Sequence, residues 1–84
     1  MIHMTLPEAN DRLNSFAKLE PNWNSYGAKP IDRDVIVMAK AMLWRLCGAG
    51  EYQLTPVPMS DGGIQLEGVI DGHDFECQIY PKGA

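Results

Sequence analysis

The sequence predicts an α+β domain with element order ααβββ, two helices packed on one face of a three-stranded antiparallel meander. Three observations predict it. Apolar residues recur at helical spacing in two segments, about residues 5–19 and the twenty residues from Ile31. From residue 51 the period changes to two. The dipeptide Asp71-Gly72 is then a two-residue hairpin signal between the last two runs.

The first helix is read from "TLPEANDRLNSFAKLE". Thr5 and Glu8 have the spacing of a capping box, in which each side chain satisfies the other residue's backbone N–H. Leu6, Ala9, Leu13, Phe16 and Ala17 form the apolar stripe, and Pro21 disfavours a helical residue before it. The second helix, in "IDRDVIVMAKAMLWRLCGAG", has Val35, Met38, Ala39, Met42, Leu43 and Leu46 on one face. Asp32 is the expected N-cap, Asp34 puts negative charge in the first turn, and Gly48 and Gly50 supply the stop. Its other face carries Ile36, Val37, Ala41, Trp44 and Cys47, hydrated by Arg33, Lys40 and Arg45 alone. A helix apolar nearly all round is expected between the sheet and the first helix, with some surface left for a second copy or a partner.

Three strands follow, in "EYQLTPVP", "IQLEGVI" and "HDFECQIYP". A two-residue turn at Asp71-Gly72 opposes Ile64 to Ile79, Leu66 to Cys77 and Gly68 to Phe75 on the core face. It opposes Gln65 to Gln78 and Glu67 to Glu76 on the other. Pro56 and Pro58 lack N–H groups on the same side of the first strand, which marks that strand as a blunted edge. The third strand is the open edge unless the N-terminal "MIHM" pairs with it, and a homodimer is expected through it and the second helix. The expected core is Leu13, Phe16, Val35, Met38, Ala39, Met42, Leu43, Leu46, Leu54, Ile64, Leu66, Phe75 and Ile79.

The chain has 84 residues, so one domain over 1–84 is the expected count. A domain of this size buries only a little over about 60% of its unfolded surface, and its core is thin. Apolar residues make up 45% and charged residues 21%, which argues against disorder. The net charge of −4 argues against direct nucleic-acid binding, which needs basic residues to displace counterions, and permits a basic protein partner. "MIHMTLPEAN" lacks an apolar run of signal-peptide length, and no stretch reaches membrane-span length. A cytoplasmic location with Cys47 and Cys77 as free thiols is expected. Those two cysteines with His3 and His73 do not have a metal-ligand spacing, so neither metal nor cofactor is expected.

Catalytic patterns are missing. "SDGG" precedes a strand and reads as a turn, and Ser25 and Ser60 have no His/Asp partner set. Glu67 and Glu76 lie on a flat face and lack the pocket a carboxylate pair needs for glycoside chemistry. The expected protein is not an enzyme.

Two features remain as candidate binding surfaces. Glu67 and Glu76 face each other across two strands, with Asp74 diagonal to Glu67 and Asp71 in the adjoining turn; Lys82 is the only nearby basic residue. Opposed like charges cost a fraction of a kcal/mol, so this face is a candidate mimic of phosphate charge. The second feature is aromatic. The loop "NWNSYGAKPI" carries Trp23 and Tyr26 among turn formers. They can plug the open end of a thin core or serve as an interface hot spot, as can Trp44 on the second helix.

The segments "NWNSYGAKPI", "PVPMSDGGIQLEG" and "HDFECQIYPKG" resemble a group of small uncharacterised proteins of bacteria and their phages. The pattern of that group reads N-W-D/N-S-Y-G-A, then P-x-V-x-P, then D-G-G-I-Q-L-E-W, then an acidic alternating strand. The resemblance covers about residues 20–83, with Gly68 standing where the pattern has Trp. It implies an accessory product of a mobile element, such as a phage anti-CRISPR protein that blocks a bacterial defence complex. On that footing the expected function is occlusion of a basic nucleic-acid-binding surface. An antitoxin or regulatory partner of a bacterial operon is the alternative, and a small-ligand binder would need a pocket.

Overall fold

A computed structural model of the chain describes residues 5–47, 53–70 and 72–81. Two helices, α1 (Leu6–Phe16) and α2 (Arg33–Cys47), precede three strands, β1 (Gln53–Pro58), β2 (Ile64–Ile70) and β3 (His73–Ile79). The strands form one antiparallel sheet in the order β1-β2-β3, with both helices on the same face. The α+β architecture is the one the periodicities predict.

Helix α1 begins at the capping box. The Glu8 N–H donates to Thr5 Oγ1 at 3.3 Å, and the Thr5 N–H donates to Glu8 Oε1 at 3.0 Å. That backbone bond is the main reason the Glu8 carboxyl sits below its usual range. The helix ends at Phe16, three residues short of the predicted end. Ala17, Lys18 and Leu19 instead donate to Asn14, Ser15 and Phe16, three residues back. The tighter turn satisfies the end before Pro21. At the start of α2 the Asp32 side chain accepts from the Asp34 N–H at 2.8 Å, as the N-cap assignment requires. Gly48, Gly50, the "MIHM" segment and Lys82 lie outside the described residues.

The β2–β3 register is the predicted one. Ile64 opposes Ile79, Leu66 opposes Cys77, Gly68 opposes Phe75, and Glu67 opposes Glu76. Gly72 has φ +80°, as the second residue of a type I′ turn requires. Strand β1 is an edge, and its outer rim is closed twice. Pro56 and Pro58 donate nothing, and Arg12 Nε reaches from α1 to donate to the Pro56 carbonyl at 2.7 Å. The same guanidinium lies 5.4 Å from the centre of the Phe16 ring.

The core brings Ala9, Leu13 and Phe16 of α1 and Val35, Ile36, Ala39 and Leu43 of α2 onto Leu54, Ile64, Leu66 and Ile79 of the sheet. Met42, Leu46 and Phe75 are half-buried against it. Two α2 residues depart from expectation. Met38, expected in the core, is 56% exposed, whereas Ile36, placed on the outer face, is buried. Met38 lies at the rim of the sheet, where it lines a shallow groove with Ile79 and Tyr80. Ile36, by contrast, joins the buried cluster that both helices share with the sheet.

Candidate functional site

With both helices on one face, the other face of the sheet is open. Alternation along the strands puts Thr55 and Val57 of β1, Gln65, Glu67 and Val69 of β2, and Asp74, Glu76 and Gln78 of β3 on it. Glu67 and Glu76 are opposed, and Asp74 is diagonal to Glu67, as the register predicts. Asp71 lies outside the described residues.

A side-chain amide relieves the paired carboxylates. Gln65 Nε2 donates to Glu67 Oε2 at 2.9 Å and to Glu76 Oε1 at 2.8 Å. Its oxygen accepts from Gln78 Nε2 at 3.1 Å, and Gln78 Oε1 in turn accepts from the Tyr80 hydroxyl. Both protons of the Gln65 amide and its oxygen are therefore engaged. Lys82 is the only basic residue near this face in the sequence, and the relief comes instead from a neutral amide. The signal was available: residues two apart on a strand share a face, so Gln65 had to lie beside Glu67. The Gln65 amide thus bridges the two carboxylates, of which Glu67 is half-buried and Glu76 exposed.

The two loop aromatics have separate fates. Trp23 packs partly against the core, and its Nε1 donates to the Lys29 carbonyl at 2.7 Å. Tyr26 is 90% exposed. The loop between them is held by side-chain amides. Asn22 Oδ1 accepts from the Gly27 N–H, and Asn24 Oδ1 accepts from the Tyr26 and Ala28 N–H groups. Asn22, Ser25 and Gly27 adopt positive φ. The end of the loop clasps the β1–β2 turn, with the Lys29 N–H donating to Ser60 O at 2.8 Å and the Asp32 N–H to Gly62 O at 3.0 Å. Trp44 is 60% exposed on the outer side of α2. Trp23 thus closes the core, while Tyr26 and Trp44 present free rings on surfaces separate from the acidic face.

This division makes a prediction. Trp23→Phe strands the Lys29 carbonyl and should cost about 1 kcal/mol in denaturant unfolding. Tyr26→Ala should stay within about 0.5 kcal/mol of wild type. The reverse order would show that Tyr26, not Trp23, closes the loop.

Among the described residues no three of His, Cys, Asp and Glu gather to hold a metal ion. Among the same residues no helix is long and apolar enough to cross a membrane. Two shallow grooves of about 360 and 350 Å³ run between α2 and β3, one lined by Asp34, Val35, Met38, Ile79 and Tyr80, the other by Met42, Arg45, Leu46 and Phe75. Neither reaches the carboxylates. Compared with protein-family models, curated proteins and solved structures, the chain finds no match.

Proposed function

We propose that this chain is a non-catalytic binding protein that docks the open acidic face of its sheet on a Lys/Arg-rich surface of a nucleic-acid-handling protein. The observation that carries this reading is the Gln65 amide held between Glu67 and Glu76. It presents two carboxylates as a rigid pair, with Asp74 alongside, on the face that no helix covers. Preset negative charge of this kind steers association with a basic partner and competes with phosphate for it. The resemblance to small uncharacterised bacterial and phage proteins supports a bacterial defence complex of CRISPR type as that partner, inhibited by occlusion of its nucleic-acid site.

The test is competition. A purified RNA-guided complex is titrated with this chain, and displacement of target DNA is followed at low and physiological salt. Wild type should displace DNA, with an on-rate that falls as salt rises. Glu67→Gln with Glu76→Gln removes both charges but leaves oxygens for the Gln65 amide, so the fold should remain intact or become slightly more stable. The double variant should associate roughly tenfold more slowly at low salt. Unchanged association would reduce the acidic face to a solvated surface and move the search to Tyr26 and Trp44.

A further inference from the structure

Helix α2 buries Val35, Ile36, Ala39 and Leu43, and its outer side is turned away from that cluster. Successive helix residues turn by about 100°, so Asp34, Met38, Ala41 and Arg45 fall in one outer stripe about 60° wide. Val37 and Trp44 flank it along one side. All six are exposed, and Val37, Met38 and Trp44 are each more than half exposed. The stripe is apolar in its middle and charged only at its ends, with Asp34 in the first turn and Arg45 in the last. Large apolar side chains exposed together mark an interaction surface.

We propose that a second copy of this chain covers the stripe, with the two α2 helices packed antiparallel about a two-fold axis. The end charges choose both the occupant and the register. Asp34 and Arg45 are eleven residues apart, which is about 16 Å along the helix and only about 20° around it. A stripe that reads negative, apolar, positive is complemented by the same stripe run backward. A parallel pair would instead set Asp34 against the partner's Asp34 and Arg45 against the partner's Arg45.

The axis lies level with the midpoint of the charged pair, between Ala39 and Lys40. Asp34 then meets Arg45 of the partner subunit, and Arg45 meets the partner's Asp34. The same level is the midpoint of Met38 and Ala41, so Met38 stands opposite the partner's Ala41. A long side chain thus faces the one small residue of the stripe, and the helices can approach closely. Trp44 lies beside the partner's Val37. Opposed helix dipoles favour the antiparallel arrangement as well. Lys40 does not disturb the charge pattern, because its ammonium donates to Asn14 Oδ1 on α1. The acidic face is on the far side of the sheet from α2, so this contact leaves it open.

Sedimentation equilibrium on the full chain should give twice the 9.3 kDa monomer mass at high micromolar concentration. Arg45→Asp sets like charges together at both ends of the contact and should raise the dimer Kd about tenfold or more at low salt. Adding Asp34→Arg should restore dimerisation. The swap opposes the helix dipole, so a rescue cannot come from a more stable helix, and circular dichroism checks that each variant is folded. Met38→Lys is an independent probe. Lysine matches methionine in helix propensity, and it places two ammonium groups at the apolar centre of the contact, so the Kd should again rise about tenfold. A 9.3 kDa species throughout would overturn the proposal. So would a dimer indifferent to Arg45→Asp and Met38→Lys, which must be joined through another surface, and so would a folded Asp34→Arg, Arg45→Asp swap that stays monomeric. None of these results depends on DNA displacement, so this dimer and the docking of the acidic face fail separately.

Discussion

Leu43→Ala is expected to destabilise the domain by about 2–5 kcal/mol, the cost of a lost core side chain plus the cavity it leaves. Leu43 is 1% exposed, at the point where α2 meets both α1 and the sheet. For a domain of this size, 1 kcal/mol moves the melting temperature by roughly 4–8 °C. A small domain has only about 5–15 kcal/mol in all, so this loss is a large fraction of its stability. Urea unfolding measures the loss. Val37→Ala is the control, an exposed position of the same helix that should change stability by no more than about 0.5 kcal/mol. Should Leu43→Ala not fold at all, Leu43→Met conserves volume and should cost less than about 1.5 kcal/mol. Equal losses at residues 37 and 43 would mean that the buried face of α2 is misassigned.

Gly63→Ala is the second large effect expected. A Cβ at Gly63 would come within 2.5 Å of the Ile79 carbonyl oxygen, 2.8 Å of Met59 Cε and 3.0 Å of Asp61 Oδ1. The methionine can swing away. The Ile79 carbonyl cannot, because Ile79 pairs with Ile64 at the end of the β2–β3 ladder. The strand must shift or the turn must open, and overpacking of this kind costs about 1–3 kcal/mol. Hydrogen exchange should quicken first at Ile64 and Ile79. Gly27→Ala provides the contrast. Gly27 has φ +81° and open space where a Cβ would go, so only backbone strain of about 1–2 kcal/mol opposes the change. If Gly63→Ala is tolerated and exchange at Ile79 is unchanged, the close approach of β3 to this turn does not constrain the fold.

The features legible in the sequence are those that local chemistry dictates. Thr5 and Glu8 marked the start of α1, and Asp71-Gly72 set the β2–β3 register from turn geometry alone. The paired prolines marked β1 as an edge, though not that Arg12 would close it. What periodicity could not supply is the width of the layer beneath a helix. Met38 and Leu43 both belong to the apolar stripe of α2, yet Leu43 is buried and Met38, at the rim of the sheet, is largely exposed. The clasp of Lys29 and Asp32 on the β1–β2 turn is backbone to backbone, and such bonds leave no side-chain pattern to read. At the acidic face the opposed glutamates are legible from the register, whereas the amide between them depends on the rotamers of Gln65, which no spacing specifies.

Arg12 and the two prolines have a consequence for self-association. A sheet with two free rims can recruit a neighbour on each, and its growth has no natural end. On the β1 rim two donors are missing and the Pro56 carbonyl is already engaged by Arg12, so a neighbouring strand finds few groups to pair with there. Open-ended growth of the sheet through that rim is therefore disfavoured by the residues that shield β1.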